Sequence, residues 1–198
     1  MAGRGLCAAL LVLSAWGAGA LELRFEEAAR QMGVEFHLPD QAALLPVGEP
    51  SEIGYQLAFG FPGAAYEVRC CLVSLSSLRT QCPQLEPDEY VPAFAVGLFA
   101  SIAREDLCYS RVSELSMESV RREFDADYGL TGLLRGGKCA FSQGYAYVLV
   151  NVLYKKDAGL VLLYMLYNDP DDLQMDGPRF AAAYYCFRFG LTHPPPVR

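Results

Sequence analysis

The spacing of apolar residues changes period several times along the chain, and each change marks an element. In Glu22–Met32 the apolar residues Phe25, Ala28, Ala29 and Met32 recur at helical spacing, and Gly33 follows as a stop. Val34, Phe36 and Leu38 then alternate with Glu35 and His37, which is the period of a strand that Pro39 ends. Residues 40–53 carry two prolines and no periodicity, so they read as a loop. Tyr55–Phe61 and Ala65–Leu75 read as two strands joined around Pro62-Gly63, and residues 76–89 as a further loop.

Val91–Ala103 contains no charge and is rich in Ala, Leu and Phe. It predicts a helix that is apolar on every side and therefore buried. Ser116 can cap a second helix running through Ala126, with Met117, Val120 and Phe124 as its inner stripe and Glu118 and Arg122 paired one turn apart. Gly144–Tyr154 and Leu160–Tyr167 flank Lys155-Lys156-Asp157-Ala158-Gly159 and predict a long hairpin. Both of its strands are apolar on both faces, so they should be central, or the sheet should be covered on both sides. Asp176-Gly177-Pro178 opens a last helix to Phe189, with Phe180, Ala183, Tyr184 and Phe187 facing inward. These elements predict one α+β domain over residues 21–190: an antiparallel sheet with helices packed against it and a C-terminal helix after the long hairpin. Residues 191–198, with Pro194-Pro195-Pro196, predict an extended tail.

Export enters through the first 20 residues. Arg4 precedes the apolar stretch Leu6–Trp16, and Ala18-Gly19-Ala20 is a small-x-small site, so residues 1–20 read as a signal peptide cleaved between Ala20 and Leu21. The apolar stretch is too short to span a bilayer, and the mature chain has no integral membrane segment by sequence. The expected location is secreted or periplasmic. Cleavage removes Cys7 and leaves Cys70, Cys71, Cys82, Cys108, Cys139 and Cys186. An even set in an exported chain suggests disulfides, with all pairings open. Adjacent Cys70 and Cys71 point to opposite faces of a strand and should not pair with each other. There is no CxxC redox motif.

Charge narrows the partners. A net charge of −7 with only Lys138, Lys155 and Lys156 as lysines argues against nucleic acid and against an anionic membrane surface. The 53% hydrophobic content is that of a folded chain.

The order of elements resembles PsbP-like domains. The resemblance lies in Val34-Glu35-Phe36-His37-Leu38-Pro39, the strands containing Tyr55 and Tyr66, and the late hairpin followed by a final helix. That superfamily includes photosystem extrinsic subunits, a Ran-binding nuclear transport factor and exported bacterial proteins. The resemblance implies a non-enzymatic binding or assembly role and transfers no site residue.

Chemistry-bearing motifs are few. Gly132–Lys138 has the GxxxxGK spacing of a phosphate loop, but Cys139 stands where Ser or Thr should hold Mg²⁺, and a strand rather than a helix follows. The acidic run Asn168–Asp176 fails the EF-hand register and reads as a hairpin end and helix cap. His37 and His193 are the only histidines, and Ser142 is not in a nucleophile elbow. Asp125 and Asp127 are candidate carboxylates for a hydrolase, though helix termination explains them too. No cofactor, metal or catalytic residue is expected. The hairpin tyrosines Tyr145, Tyr147 and Tyr164 form a possible binding face. The reading is therefore an exported binding or assembly protein for an unknown protein or small ligand. The alternatives are a carrier with an apolar pocket under the Val91–Ala103 helix, and a carboxylate hydrolase.

Overall fold

The computed structural model describes residues 18–47, 53–81, 83–85, 89–103, 111–136 and 140–190. Residues 1–17, Cys82, Cys108, Gly137-Lys138-Cys139, His193 and the Pro-rich segment lie outside the described residues.

The centre is a seven-stranded antiparallel sheet. Its strands are β2 (Ala43–Leu44), β3 (Leu57–Gly60), β4 (Tyr66–Ser74), β5 (Arg111–Glu114), β6 (Tyr128–Arg135), β7 (Tyr147–Lys155) and β8 (Gly159–Tyr167). They lie in the order β2-β3-β4-β8-β7-β6-β5. All nine residues of β8 are buried, which is why its sequence Gly-Leu-Val-Leu-Leu-Tyr-Met-Leu-Tyr shows no alternation. A strand covered on both faces and paired on both edges has no solvent position to mark with a polar residue. The expected long hairpin is β7–β8, in register from Tyr147↔Tyr167 to Lys155↔Gly159.

Two apolar layers sandwich the sheet. On the first face Val68, Cys70, Leu72, Val161, Leu163 and Met165 pack under α1 (Ala18–Gln31), α4 (Met117–Phe124), α6 (Gly177–Tyr184) and a two-stranded ribbon. That ribbon pairs β1 (Val34–Phe36) with β9 (Phe187–Phe189). On the second face Cys71, Val150, Leu160, Leu162, Tyr164 and Leu166 pack under α2 (Leu75–Gln81) and α3 (Tyr90–Ala103). Each fully buried Leu, Val or Phe is worth about 1.5–3 kcal/mol, so both layers hold the sheet.

The α+β class, the antiparallel sheet and its flanking helices are as the periodicity predicts. Three local expectations are corrected, and one strand is added. Residues 75–81 form α2 and not loop, because the Ser74 hydroxyl at the end of β4 accepts the Ser77 N–H and starts a helix there. Residues 111–114 form the edge strand β5. The helix α3 is not buried all round: Val91, Ala95, Leu98, Phe99 and Ile102 face the sheet, while Val96 is 66% exposed. The last helix stops at Tyr184, and Phe187–Phe189 is strand, because Phe187 and Phe189 alternate with Arg188 and pair with Val34–Phe36. A further short helix, α5 (Pro170–Met175), lies between β8 and α6.

Candidate binding face

Burial along β6 and β7 exposes an asymmetry between the two sides of the sheet. On the second face Leu130, Gly132, Leu134, Val148 and Val150 are all buried. On the first face their neighbours Thr131, Leu133, Tyr147 and Leu149 are only half-buried, and Arg135 is exposed. The reason is coverage. The α1 helix and the β1–β9 ribbon lie over β3 and β4, as shown by the Phe36–Phe59 ring contact at 6.5 Å. The helix α4 packs its Val120 close to Gly129, where an added Cβ would meet the Val120 side chain at 2.9 Å. Arg135, at the far end of β6, is exposed.

The register sets the residues of this open corner in rows. Leu133 pairs with Leu149, and Arg135 with Tyr147. Arg111 of the edge strand lies opposite Leu133 and so shares its face. Tyr147 also pairs with Tyr167, which pairs in turn with Tyr66, giving three tyrosines side by side across β7, β8 and β4. The Tyr147 and Tyr167 rings stack at 5.5 Å. Tyr66 donates to the Asp176 Oδ2 at 3.1 Å, which ties the start of α6 to this row. Burial first, then the Asp176 carboxylate, hold the Tyr66 hydroxyl well above its ordinary pKa. Arg179 of α6 donates to Gln41 Oε1 at 3.0 Å and lies 5.8 Å from the Phe61 ring, so it braces the same end. The far end of α6 rests on α4 through Phe124 and Tyr184 at 5.7 Å. One wall of the open corner is thereby fixed at both ends.

The floor of the corner carries an unusual group. Asn151 in β7 is 2% exposed and shares the face of Leu149 and Leu153, between Leu163 and Thr131 in the pairing. Neither its amide oxygen nor its amide nitrogen has a hydrogen-bond partner among the described residues.

The three tyrosines expected to form one binding face do not share a side of the sheet. Tyr147 is on the open corner. Tyr164 is fully buried in the second layer, against Phe141 at 4.8 Å, because it pairs with Val150 and faces away from Tyr147. Tyr145 lies with the second layer too, near Glu67 and Arg69. Sequence spacing missed Leu133, Leu149, Arg111 and Arg135. The alternation of β6, with polar or small residues at Gly129 and Thr131 and then Arg135, was the available signal.

Arg69 is a second feature the sequence conceals. It is fully buried in β4, with its guanidinium 4.7 Å from the Tyr55 ring centre and 5.0 Å from that of Phe141. It pairs with Glu67 at 2.6 Å and donates to Gln143 Oε1 at 2.9 Å and to the Phe141 carbonyl. Through Phe141 and Gln143 it latches the 140–143 turn onto the sheet.

The remaining candidates have structural partners. Asp125 pairs with Lys155 at 3.2 Å, and the Asp127 carboxylate accepts from the Lys156 N–H at 2.9 Å, so both carboxylates brace the hairpin turn. Asp169 and Asp172 form a capping box on α5. The Ser142 hydroxyl donates to the Gly136 carbonyl. His37 is exposed, and its backbone N–H donates to the Cys186 carbonyl. Under α3, an added Cβ at Gly132 would meet the Phe99 ring at 3.0 Å, so ring and strand are in direct contact where the carrier reading places a pocket. Among the described residues no cluster of His, Cys, Asp or Glu could hold a metal, and no helix is long and apolar enough to cross a membrane.

Ala20 and Leu21 lie within α1, which begins at Ala18. Cys70, Cys71 and Cys186 are buried free thiols. Burial raises Cys71 to about 12. Cys70 is also pushed up, by burial first and then by a hydrogen bond and charge contact with Cys186.

No family model matches the chain. No curated protein matches it. Among solved structures, the solution structure of cyanobacterial PsbP (CyanoP) from Synechocystis sp. PCC 6803 is similar at 12% identity. That match covers 80% of this chain and 88% of the other, with a TM-score of 0.43.

Proposed function

We propose that this is an exported, secreted or periplasmic, non-catalytic binding or assembly protein that docks a protein partner on the open corner of its sheet. The observation that carries this reading is the one-sided opening: Leu133, Leu149 and Tyr147 are half-exposed while the other face of the same strands is sealed. Apolar and aromatic side chains at the centre with arginines at the edge are the composition of protein interfaces. Arg111 and Arg135 supply that edge. The leader-like sequence Met1–Ala20 supports export.

The test is native mass spectrometry after gentle cross-linking in the source cells, for the wild type and for Leu133→Glu. Because Leu133 is half-exposed, the substitution should leave the melting temperature within a few degrees. A second polypeptide on the wild type that is lost by at least about tenfold in Leu133→Glu supports the reading, since a buried charge at an interface core costs several-fold to a hundredfold in affinity. A bare monomer after cross-linking overturns it. An adduct of small-molecule mass would favour the carrier instead, and a complex indifferent to Leu133→Glu would move the interface elsewhere.

A further inference from the structure

We propose that Cys70 and Cys186 are a disulfide pair that staples the C-terminal ribbon to the central sheet, with Cys71 excluded from it. Three observations place the two sulfurs together. Cys70 lies in β4 on the first face of the sheet, opposite Leu57 and Leu163. Cys186 immediately precedes β9, whose Phe187 touches Phe36 at 5.0 Å, and Phe36 in turn touches Phe59 of β3, two positions along from Leu57. Both side chains sit in one apolar cluster, 0% and 3% exposed, and Cys186 is among the groups that push the Cys70 thiol up.

The neighbouring Cys71 is equally buried but belongs to the opposite layer, beneath α2 and α3. A strand sends successive side chains to opposite faces, so the sheet itself separates Cys71 from Cys186. The pair is far apart in sequence, and a bridge there would close most of the mature domain into one loop. In the chain-entropy account long loops gain most from closure. The bridge would also fix the end of α6, which walls the open corner, although the inference does not depend on what that corner binds.

The chemistry is thiol–disulfide exchange with a small-molecule or protein disulfide. One cysteine thiolate attacks the oxidant's disulfide and forms a mixed disulfide, releasing one thiol of the oxidant. The second cysteine thiolate then attacks the protein sulfur and expels the other thiol. Two cysteine thiols are oxidised, and one oxidant disulfide is reduced to two thiols.

The full chain should be refolded from denaturant in mixtures of oxidised and reduced glutathione, then quenched with acid, alkylated under denaturing conditions and digested without reduction. Refolding gives the oxidant access to groups that the native state buries. The expected result is a cross-linked peptide joining Cys186 to the Cys70-Cys71 peptide, with fragment ions placing the alkyl group on Cys71. Cys71→Ala should keep the cross-link and Cys70→Ala should lose it. The oxidised chain should melt several degrees above the reduced one. A Cys186 that is alkylated at every glutathione ratio overturns the pairing, as does a cross-link from Cys186 to Cys71 or to any other cysteine. Because the assay supplies its own oxidant, its outcome does not depend on whether the chain is exported.

Discussion

Arg69 is the side chain whose environment departs furthest from what its type predicts. A guanidinium at zero exposure survives only because Glu67, Gln143 and the Phe141 carbonyl meet its donors and two aromatic rings meet its faces. Arg69→Met should cost about 3–5 kcal/mol, the range for stripping one partner from a buried pair. The Glu67 carboxylate, whose side chain is 13% exposed, would then lack its counterion. Adding Glu67→Gln should return part of that loss, and urea denaturation of the two variants measures it. A loss under about 1 kcal/mol for Arg69→Met would mean that the contacts of the Phe141 ring with Tyr55 and Tyr164 hold the 140–143 turn without the guanidinium. In the sequence Arg69 stands in a strand between Val68 and Cys70 and carries no mark of burial. Its partners come from residues 140–143, and no local pattern links the two segments.

At the scale of elements, the long periodic pieces were legible and the short ones were not. The β7–β8 hairpin, α1, α4 and α3 follow from spacing, and the Ser116 hydroxyl does accept the Ser119 N–H at 3.1 Å as the cap predicts. The seven-residue α2, the exposed β5 and the three-residue β9 each lack enough periods to outweigh their neighbours. Pairing partners decided them: β9 is a strand because β1 is there to receive it. Two glycines test the geometry of the elements in opposite directions. At Gly159 φ is +132°, and an added Cβ would lie 2.2 Å from the Val73 carbonyl. Gly159→Ala should therefore cost of order 3 kcal/mol or more. Gly97 in α3 has open space at its Cβ position, so Gly97→Ala should gain about 0.5–1 kcal/mol from the unfolded chain's lost freedom. Thermal melts of both variants decide the matter, and a neutral Gly159→Ala would show that β4 can yield at the turn.

Over the whole molecule the two-sided coverage of the sheet followed from its apolar strands, whereas the gap in that coverage did not. Sequence shows which strands want cover; where α1, α4 and α6 run out depends on their lengths and crossings in space. The same coverage sets the response to alkali. Burial raises Cys71 from 9.0 to about 12, and burial with the Glu114 hydrogen bond raises Tyr128 from 10.0 to about 12. Cys70, Tyr66 and Tyr164 are also pushed well above their ordinary values, chiefly by burial. These groups are neutral in the fold and ionise first in the unfolded chain. Their contribution is complete below about pH 9 and is lost as pH rises through 10 toward the folded values. Denaturation midpoints should hold between about pH 7 and 8.5 and fall steeply above about pH 10. A flat profile to about pH 11.5 would mean that the interior admits hydroxide-driven ionisation at no cost.

The pairing of Tyr66 with Tyr167 and of Ser74 with Gly159 has a consequence in time as well as in space. A chain that emerges N-terminus first makes β2, β3 and β4 early, yet β4 must wait for β8, the last strand of the large sheet to appear. Until then its second edge has nothing to bind, and when β8 arrives it brings nine residues that water does not favour. Non-local strands of this kind assemble slowly. The vulnerable interval for this molecule is thus the one between the synthesis of its first half and the closure of its centre, when the growing chain has an open seam and the strand that will seal it is the stickiest it makes.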